Sequence, residues 1–201
     1  MTIKDLDAWL DTGAPTFKAK PPIRRPDTRP RKHLLPAEFD AMAAAARAAG
    51  DVRGLAMLLV GYRHGLRKAE LRALQWSQID EPSRTLSVAR VKDGVSATHP
   101  IQPDTWRALQ RLPRRGPYVF SNASGAPVSP RTIHATIERL GAAAGVPLRV
   151  NPHMLRHGCG YALAASGAAT RVIQLYLGHR SIQSTARYTA MDPNAFKGLW
   201  E

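Results

Sequence analysis

The sequence predicts a mainly α-helical fold with a small antiparallel β-sheet. Three observations carry this expectation. From residue 33 onward most of the chain repeats apolar residues at helical spacing between Gly and Pro stops, one region switches to two β-rich runs around a Lys-Asp-Gly turn, and 44% of the 201 residues are hydrophobic, the share of an ordinary globular core.

The elements follow in order. "PAEFDAMAAAARAAG" reads as a helix with Pro36 in its first turn, where a missing N–H costs nothing, and Gly50 just past its end. "DVRGLAMLLVGYRHG" reads as a second, buried helix capped by Asp51 and ended by Gly65, and "LRKAELRALQW" as a third. The period then changes: "RTLSVARV" and "VSATHPI" are β-rich runs separated by "KDG", with glycine where the turn needs positive φ. "PDTWRALQRL" returns to helix and "YVFS" is a short extended segment. "SPRTIHATIERLGAAAG" and "NPHMLRHGCGYALAASG" are helices, followed by two shorter helical pieces, "TRVIQLYLG" and "SIQSTARYT", joined at Gly178. No internal repeat is present.

Lysine and arginine total 29 against 15 acids, a formal charge of +14. That excess points to a polyanion such as nucleic acid as partner. Residues 14–32 interleave prolines with seven basic residues, Lys18, Lys20, Arg24, Arg25, Arg29, Arg31 and Lys32, and a single acid, Asp27. Such a composition resists a packed core. Residues 1–32 are therefore expected to form a basic, Pro-rich arm able to lie along a phosphate backbone, and residues 33–201 one folded domain. The single cysteine, Cys159, leaves no intramolecular disulfide and sits in an apolar run, where it should be buried. "MTIKDLDAWL" has charges where a signal peptide needs an apolar block, and "LAMLLV" is too short to cross a bilayer, so a cytoplasmic protein with no membrane partner is expected.

The stretch "NPHMLRHGCG" sets His153, Arg156 and His157 within one helical turn. A metal site would use His153 and His157, four apart, with His179 as a third ligand. The glutamate of an H-E-x-x-H pattern is missing, however, and Arg156 would put a permanent positive charge beside the cation, so a metal site is not expected. His157, with His33, His64 and His134, reads as a hydrogen-bonded core histidine. A helix-turn-helix over "TRVIQLYLGHRSIQSTARY" would lay a helix in a major groove, yet leave Arg67, Lys92 and "HMLRH" unused. A phosphate cradle uses all of them. A phosphodiester under in-line attack gathers negative charge on its non-bridging oxygens, and two guanidiniums present fixed donors to that charge. A phenol with a pKa of about 10 needs positive charge and a proton acceptor beside it before it attacks well.

The order of these elements resembles the catalytic domain of the tyrosine recombinases, the phage integrase family. "HGLRKAEL" carries Arg67 after a Gly-Leu turn with Glu70 three residues on; a hairpin lysine, H-x-x-R, L-G-H and a tyrosine nine residues past that histidine follow. The resemblance runs from about Leu34 to the C-terminus. "VKDGVSATHP", "PHMLRHGCGYAL" and "IQLYLGHRSIQSTARYTA" are most similar to the short recombinases that invert the fimbrial promoter switch. It implies the tyrosine recombinase catalytic fold without an N-terminal core-binding domain, and an active site of Arg67, Lys92, His153, Arg156, His179 and Tyr188. Arg67 and Arg156 would clamp the phosphate and Tyr188 would form a 3′-phosphotyrosyl bond that conserves the energy of the cleaved linkage, so no ATP, metal or other cofactor would be needed. Lys92 would protonate the leaving 5′ oxygen, and His153 would take the tyrosine proton or, with His179, bind the phosphate. Glu70 would orient the cluster, unless it only pairs with Arg67 on a helix surface. Arg90 stands close enough to Lys92 to compete for its role.

The implied partners are double-stranded DNA, three further copies of the chain in a tetramer on DNA, and accessory DNA-bending proteins. Leu35 stands where this subgroup has a threonine N-cap, a loss that Pro36 partly offsets. The tail "TAMDPNAFKGLWE" either docks on a neighbouring copy or folds back on its own domain. A DNA-binding regulator that has lost the chemistry and a type IB topoisomerase are the alternative readings.

Overall fold

The computed structural model describes residues 31–90 and 95–189. The chain divides into two compact units, Met1–Arg31 and Lys32–Glu201, and every described element lies in the second.

Helix α1 (Pro36–Ala48) turns Phe39, Met42, Ala43 and Ala46 inward, the i, i+3, i+4, i+7 stripe of an amphipathic helix. Leu35 at its N-cap offers no side-chain acceptor, but the Glu38 carboxylate accepts the Leu35 N–H at 2.8 Å, which with Pro36 replaces the expected cap. Helix α2 (Val52–Arg63) starts on Asp51, whose carboxylate accepts the Gly54 N–H at 2.8 Å. It is buried from Gly54 to Tyr62, as a helix apolar all round must be. It packs against α1 and four later helices.

Helix α3 is shorter than expected, Lys68–Ala73. It stops because Leu74 and Gln75 turn extended: the Leu74 carbonyl accepts the Val119 N–H at 2.9 Å and Gln75 bridges to Tyr118. The sheet is antiparallel in the order β1 (Ile79–Asp80), β2 (Thr85–Val88), β3 (Ala97–Pro100), with Ile79 opposite Leu86, and Leu86 opposite His99. The two-residue β1 was not anticipated, and "YVFS" supplies only isolated bridges at Tyr118 and Ser121.

Helices α4 (Pro103–Gln110), α5 (Pro130–Ala143), α6 (Pro152–Ala165), α7 (Thr170–Leu177) and α8 (Gln183–Thr189) complete the described chain. Asn151 caps α6 by accepting the His153 and Met154 N–H groups, and Gly178 ends α7 at φ +63°.

The main core gathers α1 to α6 as far as Leu155. A second, smaller one joins Cys159, Ile173, Leu177 and Tyr188. The candidate helix-turn-helix does not stand free: Ile173, Leu177, Thr185 and Tyr188 face inward, and α7 and α8 both pack on α6. His64 is fully buried, but neither of its ring nitrogens has a hydrogen-bond partner, and His33 is only half-buried, stacked on Tyr161 at 4.0 Å; His134 departs furthest from the core reading. It is partly exposed beside Glu138, because its position on α5 falls outside the stripe formed by Ile133, Ile137 and Leu140. No helix among the described residues is long and apolar enough to cross a membrane.

Candidate active site

The site forms where the C-terminal ends of α2 and α7 meet α3 and α6. Gly65 closes α2 at φ +57°, and a Cβ there would lie 2.5 Å from the Leu177 side chain, so glycine is what lets the two helix ends meet. The turn delivers Arg67 as the N-cap of α3. Its N–H donates to Glu70 Oε2 at 2.8 Å and its Nη1 to Glu70 Oε1 at 2.7 Å, while about a third of the side chain remains exposed. Glu70 is not part of a surface pair. Its carboxylate is buried and also accepts from Arg90 Nη1 at 2.9 Å. Burial pushes this carboxyl up, but the Arg67 hydrogen bonds and the Arg90 charge outweigh it and hold the group below the usual carboxylate range.

Arg156, on α6, is buried. Nη1 donates to the Gly65 carbonyl and Nη2 to the Leu177 carbonyl, both at 2.6 Å, and Nη1 lies 4.0 Å from Glu70. Burial, with Arg67 and Arg90 nearby, pushes its pKa down to about 10, so it stays cationic at neutral pH.

Tyr188, on α8, places its hydroxyl 3.0 Å from His157 Nδ1. Its ring lies directly against α6 at Gly160, where a Cβ would sit 2.6 Å from Tyr188 Cζ. Tyr161 meets it edge-on at 5.0 Å, and the His179 ring stacks on it at 6.2 Å while its own Nδ1 pairs with Thr185 Oγ1 at 2.8 Å. His153 sits edge-to-face on His157 at 4.4 Å. Burial, reinforced by surrounding positive charge that includes Arg156, brings His157 and His179 down to about 4 and lowers His153. These rings are therefore neutral at pH 7, each with a nitrogen lone pair to accept a proton. Burial raises the Tyr188 phenol, and Arg156 and Arg187 pull the other way. The cluster can thus hold an anion between guanidiniums and take a proton from a phenol beside it.

Arg67, Glu70, His153, Arg156, His179 and Tyr188 converge from four segments of chain. Lys92 lies outside the described residues, as do Lys18, Lys20, Arg24, Arg25, Arg29 and the tail from residue 190. Arg31 is half-exposed and Lys32 exposed. Two residues do more than their sequence suggested. His157, read as a core histidine, is the polar partner of Tyr188; the signal was Gly160 three residues on, which clears that face of α6 for a ring. Arg90 turns its side chain fully inward, continuing the alternation of Leu86 and Val88, so it is not free to protonate a leaving group as Lys92 is expected to. Among the described residues no three His, Cys, Asp or Glu side chains converge as metal ligands.

The chain is similar to the type 1 fimbriae regulatory proteins FimE (38% identical over 181 residues, 85% of this chain and 91% of the relative) and FimB (36% over 184 residues, 87% and 92%) of Escherichia coli K12. Among solved structures it superposes on the XerA recombinase with a TM-score of 0.72 at 28% identity, over 88% of this chain and 64% of that one. The XerH recombinase bound to its difH substrate shares the fold, with a TM-score of 0.71 at 19% identity over 85% of this chain and 55% of that one. Residues 32–195, which hold every element of the cluster, match the phage integrase family. The chain is a member of that family, the tyrosine recombinases.

Proposed function

We propose that the protein is a site-specific DNA recombinase that cuts and rejoins duplex DNA through a 3′-phosphotyrosyl intermediate. The observation that carries this reading is the Tyr188 hydroxyl, held 3.0 Å from a neutral imidazole and within the field of Arg156. Arg67 and Arg156 bind the non-bridging oxygens of the scissile phosphate, with His153 and His179 beside them. Tyr188 Oη attacks phosphorus and the P–O5′ bond breaks. The phenolic proton passes to His157, the acceptor at hand, and Lys92 protonates the departing 5′ oxygen. Reversal of the step with a new 5′ hydroxyl reseals the strand. One phosphate ester replaces another, so the energy of the cleaved bond is kept and the chemistry requires neither nucleotide nor metal.

The likeness to FimE and FimB over nearly their whole length supports inversion of a promoter-bearing segment, with integration as the other outcome of the same strand exchange. The working form on DNA is a homotetramer aided by DNA-bending proteins, acting in the cytoplasm. The basic arm through Lys32 lies along the phosphate backbone of the duplex.

Incubation with a nicked suicide duplex tests the reading. The recombinase traps a covalent adduct that disappears in Tyr188→Phe. A DNA-binding regulator gives no adduct, and a type IB topoisomerase relaxes supercoiled plasmid of any sequence.

A further inference from the structure

We propose that Arg90 is a positioning residue that holds the two phosphate-binding guanidiniums, Arg67 and Arg156, in register. The inference rests on the reading that those guanidiniums bind the scissile phosphate. Arg90 does not reach the surface: its side chain is completely buried, so it acts only through its neighbours.

Those neighbours are the anchors of the other two arginines. Arg90 Nη1 donates to Glu70 Oε2 at 2.9 Å, and the other oxygen of the same carboxylate holds Arg67. Nη1 also reaches the Gly65 carbonyl at 3.4 Å, the group that accepts from Arg156 at 2.6 Å. Nη2 donates to the carbonyls of His64 at 3.3 Å and Tyr176 at 2.5 Å. The next carbonyl after Tyr176, that of Leu177, holds Arg156 Nη2. Arg90 and Arg156 therefore share two helix C-termini, those of α2 and α7, whose free carbonyls and negative dipole ends favour cations.

Gly178 closes the arrangement. A Cβ there would lie 2.6 Å from Arg90 Cγ and 2.8 Å from Nε, so the end of α7 rests directly on the arginine stem. His99 stacks on Tyr176 at 3.8 Å and lies 5.6 Å from His64; burial beside Arg90 keeps both imidazoles neutral, at about 4 and about 3. They wall the cation without adding charge to it. Glu70 alone would fix Arg67, and the Gly65 and Leu177 carbonyls alone would fix Arg156. Arg90 hydrogen-bonds members of both sets, whereas Arg156 comes no nearer to Glu70 than 4.0 Å. A lysine supplies the charge but lacks the planar fork needed to reach Glu70 and two helix ends at once.

The test compares Arg90→Lys with the parent on two suicide duplexes spanning the protein's own cleavage site, mapped by trapping the parent on genomic DNA. One carries the natural phosphodiester and the other a methylphosphonate at the scissile position. The methylphosphonate removes a negative non-bridging oxygen, so the need for correctly placed guanidiniums falls. Adduct formation by Arg90→Lys is expected to slow by about 10- to 100-fold on the phosphodiester, the scale of a disturbed oxyanion donor. On the methylphosphonate the gap to the parent should shrink to about 3-fold or less, with DNA affinity retained. Equal cleavage of the phosphodiester by parent and variant overturns the proposal. So does a defect of the same size on both substrates, the mark of a purely structural role. Should Arg90→Lys not fold, the neutral pair Glu70→Gln/Arg90→Gln is put through the same comparison with the same two deciding outcomes. A parent that traps no adduct anywhere refutes the recombinase reading itself and is told apart from either result.

Discussion

Replacing Glu70 by alanine should destabilise the fold far more than loss of an exposed helix pair. The carboxylate is buried, accepts three hydrogen bonds from Arg67 and Arg90 at 2.7–2.9 Å, and faces Arg156 at 4.0 Å. An exposed pair at this spacing is worth about 0.3–0.5 kcal/mol. Removing one member of a buried pair costs about 3–5 kcal/mol, since the fully buried Arg90 guanidinium is left without its counter-charge. At roughly 2–4 °C per kcal/mol for a domain of this size, the melting temperature should fall by about 6–20 °C. Glu70→Gln keeps the oxygen acceptor and the shape, so its loss should be smaller. Thermal unfolding followed by circular dichroism measures both. The sign with pH follows from the lowered carboxyl: its contribution is complete above the ordinary carboxylate range and fades as pH falls through the depressed folded value. Glu70→Ala should lack that part of the acid sensitivity. A Glu70→Ala protein that melts within about 2 °C of the parent would refute the idea that Glu70 balances buried charge.

Three further outcomes are expected. Gly160→Ala should displace the Tyr188 ring, which leaves no room for a methyl group; adduct formation should fall by about 10-fold or more while DNA affinity stays near that of the parent, as gel shift and suicide-substrate assays would record. His64 is held at about 3 against an ordinary 6.5, so the unfolded chain binds a proton that the fold refuses; stability should decline as pH drops from about 6.5 towards 3, and denaturant titrations of His64→Asn should show a shallower decline. Deleting residues 14–32 should weaken DNA binding and reduce its salt dependence because fewer counterions are released, and an unchanged slope would mean that the arm makes no phosphate contacts.

Helix ends were legible because their stops are local. Gly50, Gly65 and Gly178 take positive φ just past α1, α2 and α7, and Asp51 and Asn151 cap α2 and α6 with their own side chains. The burial of Glu70 was not legible. Arg67 and Glu70 at i and i+3 look the same on a surface helix, and only the arrival of Arg90, twenty residues on, decides the matter. His157 was hidden in the same way, since its partner Tyr188 follows 31 residues later. Arg90 was half visible: the alternation Leu86, Val88, Arg90 points it inward, but the acceptors that make burial tolerable come from α2, α3 and α7. The early end of α3 arises from pairing with Tyr118 and Val119, more than forty residues on, which no local pattern records, and β1 is too short, at two residues, for its alternation to show.

The most direct measurement is the identity of the bond between protein and DNA. Trapped adducts would be digested with nuclease and protease and the nucleotide-bearing peptide sequenced by mass spectrometry. The account predicts a 3′-phosphate esterified to Tyr188 and to no other side chain. A nucleotide on Tyr161 or on another residue, or a 5′ linkage, would contradict it.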